Sequence, residues 1–316
     1  MRNDQNAWAV ILAGGDGTRL QALTRVISGD DRPKQFCPIF GDQTLLTQTR
    51  ERLAKAISPE RTAFVLVKPH ERFYRDELSD VEPARMIVQP SNRGTAAAIL
   101  YSLLRIARLD EDAVVAFFPA DHYYKNEAPF LEAVHSAFLL ARENSRAVVL
   151  VGAEPEHPEV EYGWIEPGAD LHSPFGDCSL VNRFWEKPAI EVATQLQDRG
   201  CLWNTFIMVG SVRTFLESIE SSVPKLFHEF VKTCRSVRTG SENVRRLYRT
   251  IPSTDFSHQV LSACSERLLV LRMEHAGWSD LGKPERVMAT LATAGMTPPW
   301  AISFSGADLR SEKATA

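Results

Sequence analysis

The sequence predicts an α/β fold in which helices flank a mostly parallel β-sheet. Short apolar segments bounded by glycine or proline, such as residues 8–13 and 113–118, are typical of buried parallel strands. They alternate with segments of helical periodicity such as residues 94–109, which is the pattern of βαβ units with right-handed crossovers. The chain has 316 residues, of which 44% are hydrophobic, so it can bury a substantial core.

The first half of the chain, about residues 1–154, has the most regular alternation. Its predicted strands are residues 8–13, 63–67, 85–89, 113–118 and 147–151, and its predicted helices are residues 44–57, 71–78, 94–109 and 130–143. In the helix at 44–57, for example, Leu45, Leu46, Leu53 and Ile57 share one side. We therefore expect a Rossmann-like sheet in this half.

From about residue 155 the pattern becomes less regular. Strands are predicted at residues 161–166, 180–185, 201–209 and 268–272, and helices at 190–199, 212–249 and 284–294. We expect residues 155–295 to complete the same domain, residues 1–295, as its less regular half. Two prolines at 298 and 299 and the polar residues 311–316 indicate a loosely attached C-terminal tail over residues 296–316.

Composition excludes several classes of protein. A net charge of −4 and a pI of about 6.1 argue against a general nucleic-acid-binding protein, which needs a basic face. The five cysteines are odd in number and none has C-x-x-C spacing, which favours a reducing cytoplasm over a disulfide framework or a zinc site. No stretch approaches the roughly 20 apolar residues of a membrane span, and the N-terminus lacks a signal core. We expect a cytoplasmic protein without nucleic-acid or membrane partners.

A glycine-rich loop, residues 14–19 (GGDGTR), follows the first predicted strand. Glycines allow a sharp turn and let backbone N–H groups approach an anion, and Arg19 adds a cationic fork suited to phosphate. Leu20 stands where a dinucleotide fingerprint needs its third glycine, and no lysine occupies the P-loop position. The loop therefore suits a polyphosphate, with a plain turn carrying solvated charges as the structural alternative.

Polar groups follow three strands of the predicted sheet. The glycine loop, residues 89–95 and Asp121 all lie at the carboxyl ends of strands, where ligands bind in open α/β sheets. Asp121 comes directly after a buried strand and could hold Mg²⁺, which prefers oxygen ligands and substrate phosphates. On spacing alone, a helix cap or a turn aspartate is the more common explanation. The carboxyl edge of the sheet is thus the predicted ligand site.

The glycine loop and the residues after it resemble the signature of the sugar-nucleotide pyrophosphorylases, which join a sugar 1-phosphate to an NTP. The family pattern G-x-G-x-R, a spacer and P-K is met by Gly15, Gly17, Arg19, Pro33 and Lys34. The tetrapeptide at 33–36 (PKQF) is most similar to the mannose-1-phosphate guanylyltransferase branch. This chain departs from the pattern in a longer spacer, with residues 28–31 as the apparent insertion.

The resemblance implies a role for each motif. Asp121 in F-P-A-D-H and Asp280 in W-x-D-x-G would hold one Mg²⁺, Lys187 in E-K-P would bind the sugar phosphate, and Arg19 and Lys34 would bind the triphosphate. The implied nucleotide-binding residues are Leu12, Ala13, Gly14, Gly15, Gly17, Thr18, Arg19, Gln89, Gly94 and Thr95, and the implied sugar-binding residues are Tyr162, Gly163, Glu186, Lys187 and Asn204. For Lys187 alone, a surface ion pair is the structural alternative.

The implied activity is the joining of GTP and mannose 1-phosphate, and a homodimer is compatible with it. The identity of the nucleotide base stays open. Gln89 and Gly94 stand where the guanylyl branch has Glu and Asn, and a glutamine followed by a glycine is closer to the thymidylyltransferases. A glutamine amide both donates and accepts, so it can pair with a guanine or a thymine edge. The alternatives are another NTP (dTTP or UTP), another hexose 1-phosphate, and a catalytically silent regulatory subunit on the same fold.

Overall fold

A computed structural model describes residues 6–235 and 241–304 of the chain. Its strands are β1 (Ala7–Leu12), β2 (Thr62–Val67), β3 (Met86–Gln89), β4 (Val114–Pro119), β5 (Tyr123–Tyr124), β6 (Val148–Ala153), β7 (Gly163–Leu171), β8 (Cys178–Glu186), β9 (Leu202–Ser211), β10 (Leu268–Met273) and β11 (Trp278–Ser279). Its helices are α1 (Gln21–Ser28), α2 (Leu45–Ala54), α3 (Glu71–Tyr74), α4 (Gly94–Ile106), α5 (Glu127–Glu143), α6 (Ile190–Asp198), α7 (Val212–Ser222), α8 (Pro224–Arg235), α9 (Ser241–Thr250), α10 (Phe256–Gln259), α11 (Pro284–Ala294) and α12 (Pro299–Ser303).

Nine strands form one sheet in the order β3-β2-β1-β4-β9-β6-β10-β8-β7, and β5 pairs with β11 beside it. The predicted α/β fold with helices flanking a sheet is confirmed. Strands β1 to β4 are parallel to their neighbours within this group, but β9 runs antiparallel to both β4 and β6, and β8 to β10. The sheet is therefore mixed: β1 to β4 form a parallel group, and β6 and β10 form a second parallel pair.

The same sheet runs through both halves of the chain. β6 from the first half lies between β9 and β10 from the second, so the halves share one sheet. Alternate side chains of the strands enter two apolar layers: Ala9 and Ile11 of β1 face one, and Trp8 and Val10 face the other. Because β1 to β4 are covered on both faces, their carboxyl ends are positioned by packing from above and below.

Helix α1 was not predicted, since its residues fall in the spacer after the glycine loop. It ends at Gly29, whose φ of 76° closes the helix in the left-handed region. The turn that follows is fixed by Arg32, whose Nε donates to Asp30 Oδ1 at 2.7 Å. The lengthened spacer is thus an ordered helix and turn, and the charge of Arg32 is already paired there.

The beginning of the predicted tail is packed, which corrects its description as loosely attached. Trp300 Nε1 donates to Ile39 O at 3.3 Å, and Phe304 belongs to the same buried apolar cluster as Leu20 and Leu23. Two apolar aromatic side chains within five residues supply this contact. The polar residues 311–316 lie outside the described residues.

The structure also shows the state of the cysteines and whether a helix could span a membrane. All five cysteines lie buried as free thiols. Within residues 6–235 and 241–304, every helix is too short or too polar to cross a membrane.

Candidate active site

Two adjoining cavities open at the carboxyl edge of the parallel strands. The larger has a volume of about 410 Å³ and the smaller about 300 Å³, and both are lined by Arg19, Asp121 and Asp280. The larger cavity is also lined by the predicted residues Leu12, Gly14, Gly15, Gln89, Gly94, Thr95, Tyr162, Gly163, Glu186, Lys187 and Asn204, and the smaller by Gly17, Thr18 and Lys34. Of the predicted site residues only Ala13 lines neither cavity, since it is buried beneath the loop.

The glycine loop is held in place by Gln35. Its Nε2 donates to Ala13 O at 3.0 Å and to Gly15 O at 2.8 Å, and the side chain is buried. Gly17 has a φ of 62°, and a Cβ there would lie 3.1 Å from Lys34 N, so the loop packs closely on the residues after α1 and a side chain at position 17 would be strained. The sequence identifies both the glycine loop and residues 33–34 as parts of one motif, and the structure brings them into direct contact.

Lys34 lies between the two predicted metal-binding aspartates. Its Nζ is 3.5 Å from Asp121 Oδ2 and also donates to the backbone carbonyl oxygens of Asp280 and Leu281. The side chain is only 11% exposed, so little water screens its charge. Lys34 therefore provides a fixed, mostly buried cation at the wall of the smaller cavity.

The carboxylate of Asp280 is oriented by three donors to one oxygen. Oδ1 accepts from Tyr162 OH at 2.8 Å, from Gly282 N at 2.9 Å and from Arg286 Nη1. Burial alone would raise the pKa of Asp280, but the charges of Lys34 and Arg286 outweigh it and lower the pKa to about 2. Among the described residues no donor bonds to Oδ2, so this oxygen is available to a cation.

His122 lines both cavities and is held in one orientation by Trp278. Its Nδ1 accepts a hydrogen bond from Trp278 Nε1 at 3.1 Å, which places the ring proton on Nε2. Burial lowers the pKa of His122 to about 4. The imidazole is thus uncharged near neutral pH and orients Trp278 beside Asp280.

The opposite wall of the larger cavity is built by β7, β8 and β9. Gly163 pairs with Glu186 across the strands, and a Cβ on Gly163 would lie 2.7 Å from the Phe184 ring. Lys187 follows at a left-handed φ of 48°, with its Nζ 3.2 Å from Glu186 Oε1. Strained backbone of this kind costs energy and clusters at functional sites. Burial raises the pKa of Glu186.

A bulge in β9 shapes the same wall. The register with β6 shifts so that Val151 faces Ile207 and Gly152 faces Asn204, which leaves Thr205 and Phe206 as extra residues. Phe206 has a φ of 62°, and its N–H donates to Asn204 Oδ1 at 3.1 Å. The bulge therefore turns Asn204 and Phe206 into the cavity.

The end of β3 and the start of α4 form the third wall. Gly94 has a φ of 82°, and a Cβ there would lie 2.3 Å from Thr254 O, so the loop before α10 needs a glycine here. Thr95 Oγ1 accepts from Phe256 N at 2.7 Å. This close docking brings Asp255 and Ser257 into the cavity lining.

Several lining or supporting residues were missed by sequence reasoning. Asp255, Ser257 and Glu161 line the larger cavity, and Arg286 donates to Asp280 at its edge. Glu161 accepts a hydrogen bond from Arg19 Nη1 at 3.1 Å, which joins the glycine loop to the opposite wall. None of these residues carries a local signal, because a single polar residue near a turn or a helix start is common.

The carboxylates in the cavity lining provide oxygen donors of the kind that divalent cations prefer. No group of three or more His, Cys, Asp and Glu side chains that could hold a metal occurs in the part of the chain that the structure describes. Two aspartates, Asp121 and Asp280, line both cavities, and such a pair suits Mg²⁺, which is commonly bound by one or two carboxylates together with substrate phosphates.

The glycine loop, the cations Arg19 and Lys34 and the two aspartates form a site at the carboxyl edge of the sheet that suits an anionic ligand. The chain belongs to the nucleotidyl transferase family, which it matches over residues 8–294. It is 29% identical over 279 residues to the alginate biosynthesis protein AlgA of Pseudomonas syringae pv. tomato, covering 86% of this chain and 56% of that protein. It is 27% identical over 282 residues to a mannose-1-phosphate guanylyltransferase of Escherichia coli, covering 86% and 59%.

A solved structure is similar over most of the chain. It is named a mannose-1-phosphate geranyltransferase, from Thermus thermophilus, has a TM-score of 0.79 and 27% identity, and the match covers 93% of this chain and 81% of that one. The chain spans little more than half the length of the curated relatives, 56% and 59% for the two described above.

Proposed function

We propose that this chain joins GTP to mannose 1-phosphate, giving GDP-mannose and pyrophosphate. The observation that carries the proposal is one cavity with Arg19 on one wall, Lys187 and Glu186 on the opposite wall, and Asp121 and Asp280 also in its lining. A triphosphate and a sugar phosphate would meet in such a cavity. The name of the Escherichia coli relative supports the choice of substrates.

The reaction needs positioning and charge neutralisation more than proton transfer. An oxygen of the sugar phosphate attacks the α-phosphorus, and the bond from that phosphorus to the pyrophosphate oxygen breaks in line. Because the attacking oxygen is already anionic, no general base is required, and neutral His122 beside the site is consistent with this. Lys187 would hold the attacking phosphate, and Arg19 and Lys34 would stabilise the leaving pyrophosphate.

Asp121 and Asp280 would hold Mg²⁺ through their carboxylate oxygens. When bound, the ion supplies charge neutralisation for both phosphates. The three donors on Asp280 Oδ1 fix its carboxylate so that Oδ2 is presented without reorganisation. Tyr162 and Arg286 thereby act on the site through Asp280.

A matrix of nucleotides and sugar phosphates tests the proposal. We expect pyrophosphate release from GTP with mannose 1-phosphate at a higher kcat/KM than from dTTP, UTP, ATP or CTP, or than with glucose 1-phosphate. Wild-type preference for dTTP or UTP would reject the guanylyl assignment and keep the enzyme class. Absence of turnover with every pair, in protein that binds nucleotide, would instead support a catalytically silent subunit.

Replacing Lys187 by alanine should weaken use of the sugar phosphate. Its side chain is 59% exposed and its Cβ is retained, so the variant keeps the left-handed backbone and loses mainly the ammonium group. We expect the KM for the sugar phosphate to rise about tenfold, as for a charge-assisted contact, with little change in the KM for the nucleotide. Lys68→Ala, an equally exposed lysine paired with Glu71, is the matched control. Equal changes in both KM values would contradict the assignment.

A further inference from the structure

The amide of Gln89 is held in one orientation by groups on either side of it. Its Oε1 accepts from Tyr248 OH at 3.1 Å, and its Nε2 points to Leu66 O at 3.5 Å. Turning the amide over would place two carbonyl-type oxygens, Gln89 Oε1 and Leu66 O, against each other. The backbone carbonyl and the tyrosine hydroxyl therefore favour the same orientation.

Tyr248 is a fixed donor in this arrangement. The side chain is 1% exposed and packs edge-on against Tyr101 and Phe230. Burial raises the pKa of Tyr248 well above its usual value, so the hydroxyl keeps its proton. Arg93 fixes the backbone of the same residue, because its Nε donates to Tyr248 O at 2.7 Å.

This orientation decides which atom of the Gln89 amide faces a ligand in the cavity. Gln89 lies at the carboxyl end of β3 and lines the larger cavity beside Gly14, where a Cβ on Gly14 would lie 3.3 Å from Gln89 Nε2. The amide oxygen accepts from Tyr248 on the side away from Gly14, and the NH₂ group has a second hydrogen beyond the one directed at Leu66 O. The lock therefore turns the NH₂ group, a donor, toward the cavity side at Gly14.

We propose that Tyr248 is a specificity-determining residue that locks Gln89 to select nucleotide bases with a carbonyl oxygen, such as guanine O6 or the O4 of uracil and thymine, against bases with an amino group there. This inference rests on the proposed nucleotidyltransferase function. The sequence leaves both roles of the Gln89 amide open, and this inference assigns it the role of donor to the base.

Tyr248→Phe tests the inference because it removes one hydroxyl and keeps the ring. The ratio of kcat/KM for GTP over ATP, at fixed mannose 1-phosphate, should fall about fivefold, the effect of one typical hydrogen bond. Tyr101→Phe is the matched control: it is a neighbouring buried tyrosine whose OH accepts from Arg105 and does not contact Gln89. The control should keep the wild-type ratio. An unchanged ratio in Tyr248→Phe, with the protein active, would overturn the inference and leave the proposed function standing.

Two purine analogues test the same point on the wild-type protein. Inosine triphosphate keeps O6 and lacks the 2-amino group, whereas 2,6-diaminopurine riboside triphosphate keeps the 2-amino group and has an amine in place of O6. We expect inosine triphosphate to bind nearly as well as GTP and the diaminopurine analogue to bind at least about fivefold more weakly in calorimetric titrations. The reverse order would overturn the inference. Failure of every nucleotide to bind would instead reject the proposed function.

Discussion

Asp280→Asn is expected to lower turnover by about a hundredfold or more while the fold is retained. Asparagine keeps an acceptor at the Oδ1 position for Tyr162, Gly282 and Arg286, and it replaces Oδ2 by an NH₂ group that cannot bind a cation. Losing an outer-shell partner of a metal ligand already costs about 10–100-fold in metal affinity or activity, so losing the ligand itself should cost at least the upper value. Turnover at saturating Mg²⁺ measures this loss.

Binding of Mn²⁺, followed by electron paramagnetic resonance in the presence of nucleotide, gives a second readout independent of turnover. Asp121→Asn should weaken binding in the same way as Asp280→Asn. Glu159→Gln is the control, since Glu159 also contacts Arg286, at 3.1 Å, but lines neither cavity. A variant at position 121 or 280 with normal Mn²⁺ affinity and normal turnover would show that its aspartate is not a ligand.

Local patterns in the sequence were sufficient for the parallel half of the sheet. Residues 8–13, 63–67 and 113–118 are apolar, bounded and of strand length, and β1, β2 and β4 lie there within one residue at either end. The direction of β9 could not be obtained in this way, because periodicity describes which side chains are buried and not which neighbour a strand pairs with. The mixed character of the sheet follows from that pairing.

The site residues also fall into those that the sequence could identify and those that only the structure reveals. Glycines and the motif cations could be selected by resemblance, and the structure places Arg19, Lys34 and Lys187 on the walls of adjoining cavities. Arg286 could not be selected, because an arginine in the first turn of α11 looks like any solvated helix residue until Asp280 and Tyr162 are seen beside it. Its importance arises from contacts between segments that are distant in the chain.

Arg19→Ala is expected to lower kcat by about 10²–10³-fold, the usual cost of removing one preorganised donor to developing negative charge. The side chain is 59% exposed and its described partner is Glu161, at 3.1 Å, so its loss should leave thermal unfolding nearly unchanged. Arg25→Ala is the matched control, since Arg25 is also 59% exposed and paired with a carboxylate, that of Asp31, but lines neither cavity.

The comparison separates catalysis from simple attraction of an anionic substrate. If Arg19 acted only by raising the local nucleotide concentration, its removal would raise KM and leave kcat unchanged. The increase in KM would then be larger at low salt than at high salt. If it stabilises the departing pyrophosphate, kcat itself falls at saturating nucleotide, and Arg19→Lys recovers part of the rate because a point charge replaces the fork. A normal kcat in Arg19→Ala would remove Arg19 from the chemical step, even with an increased KM.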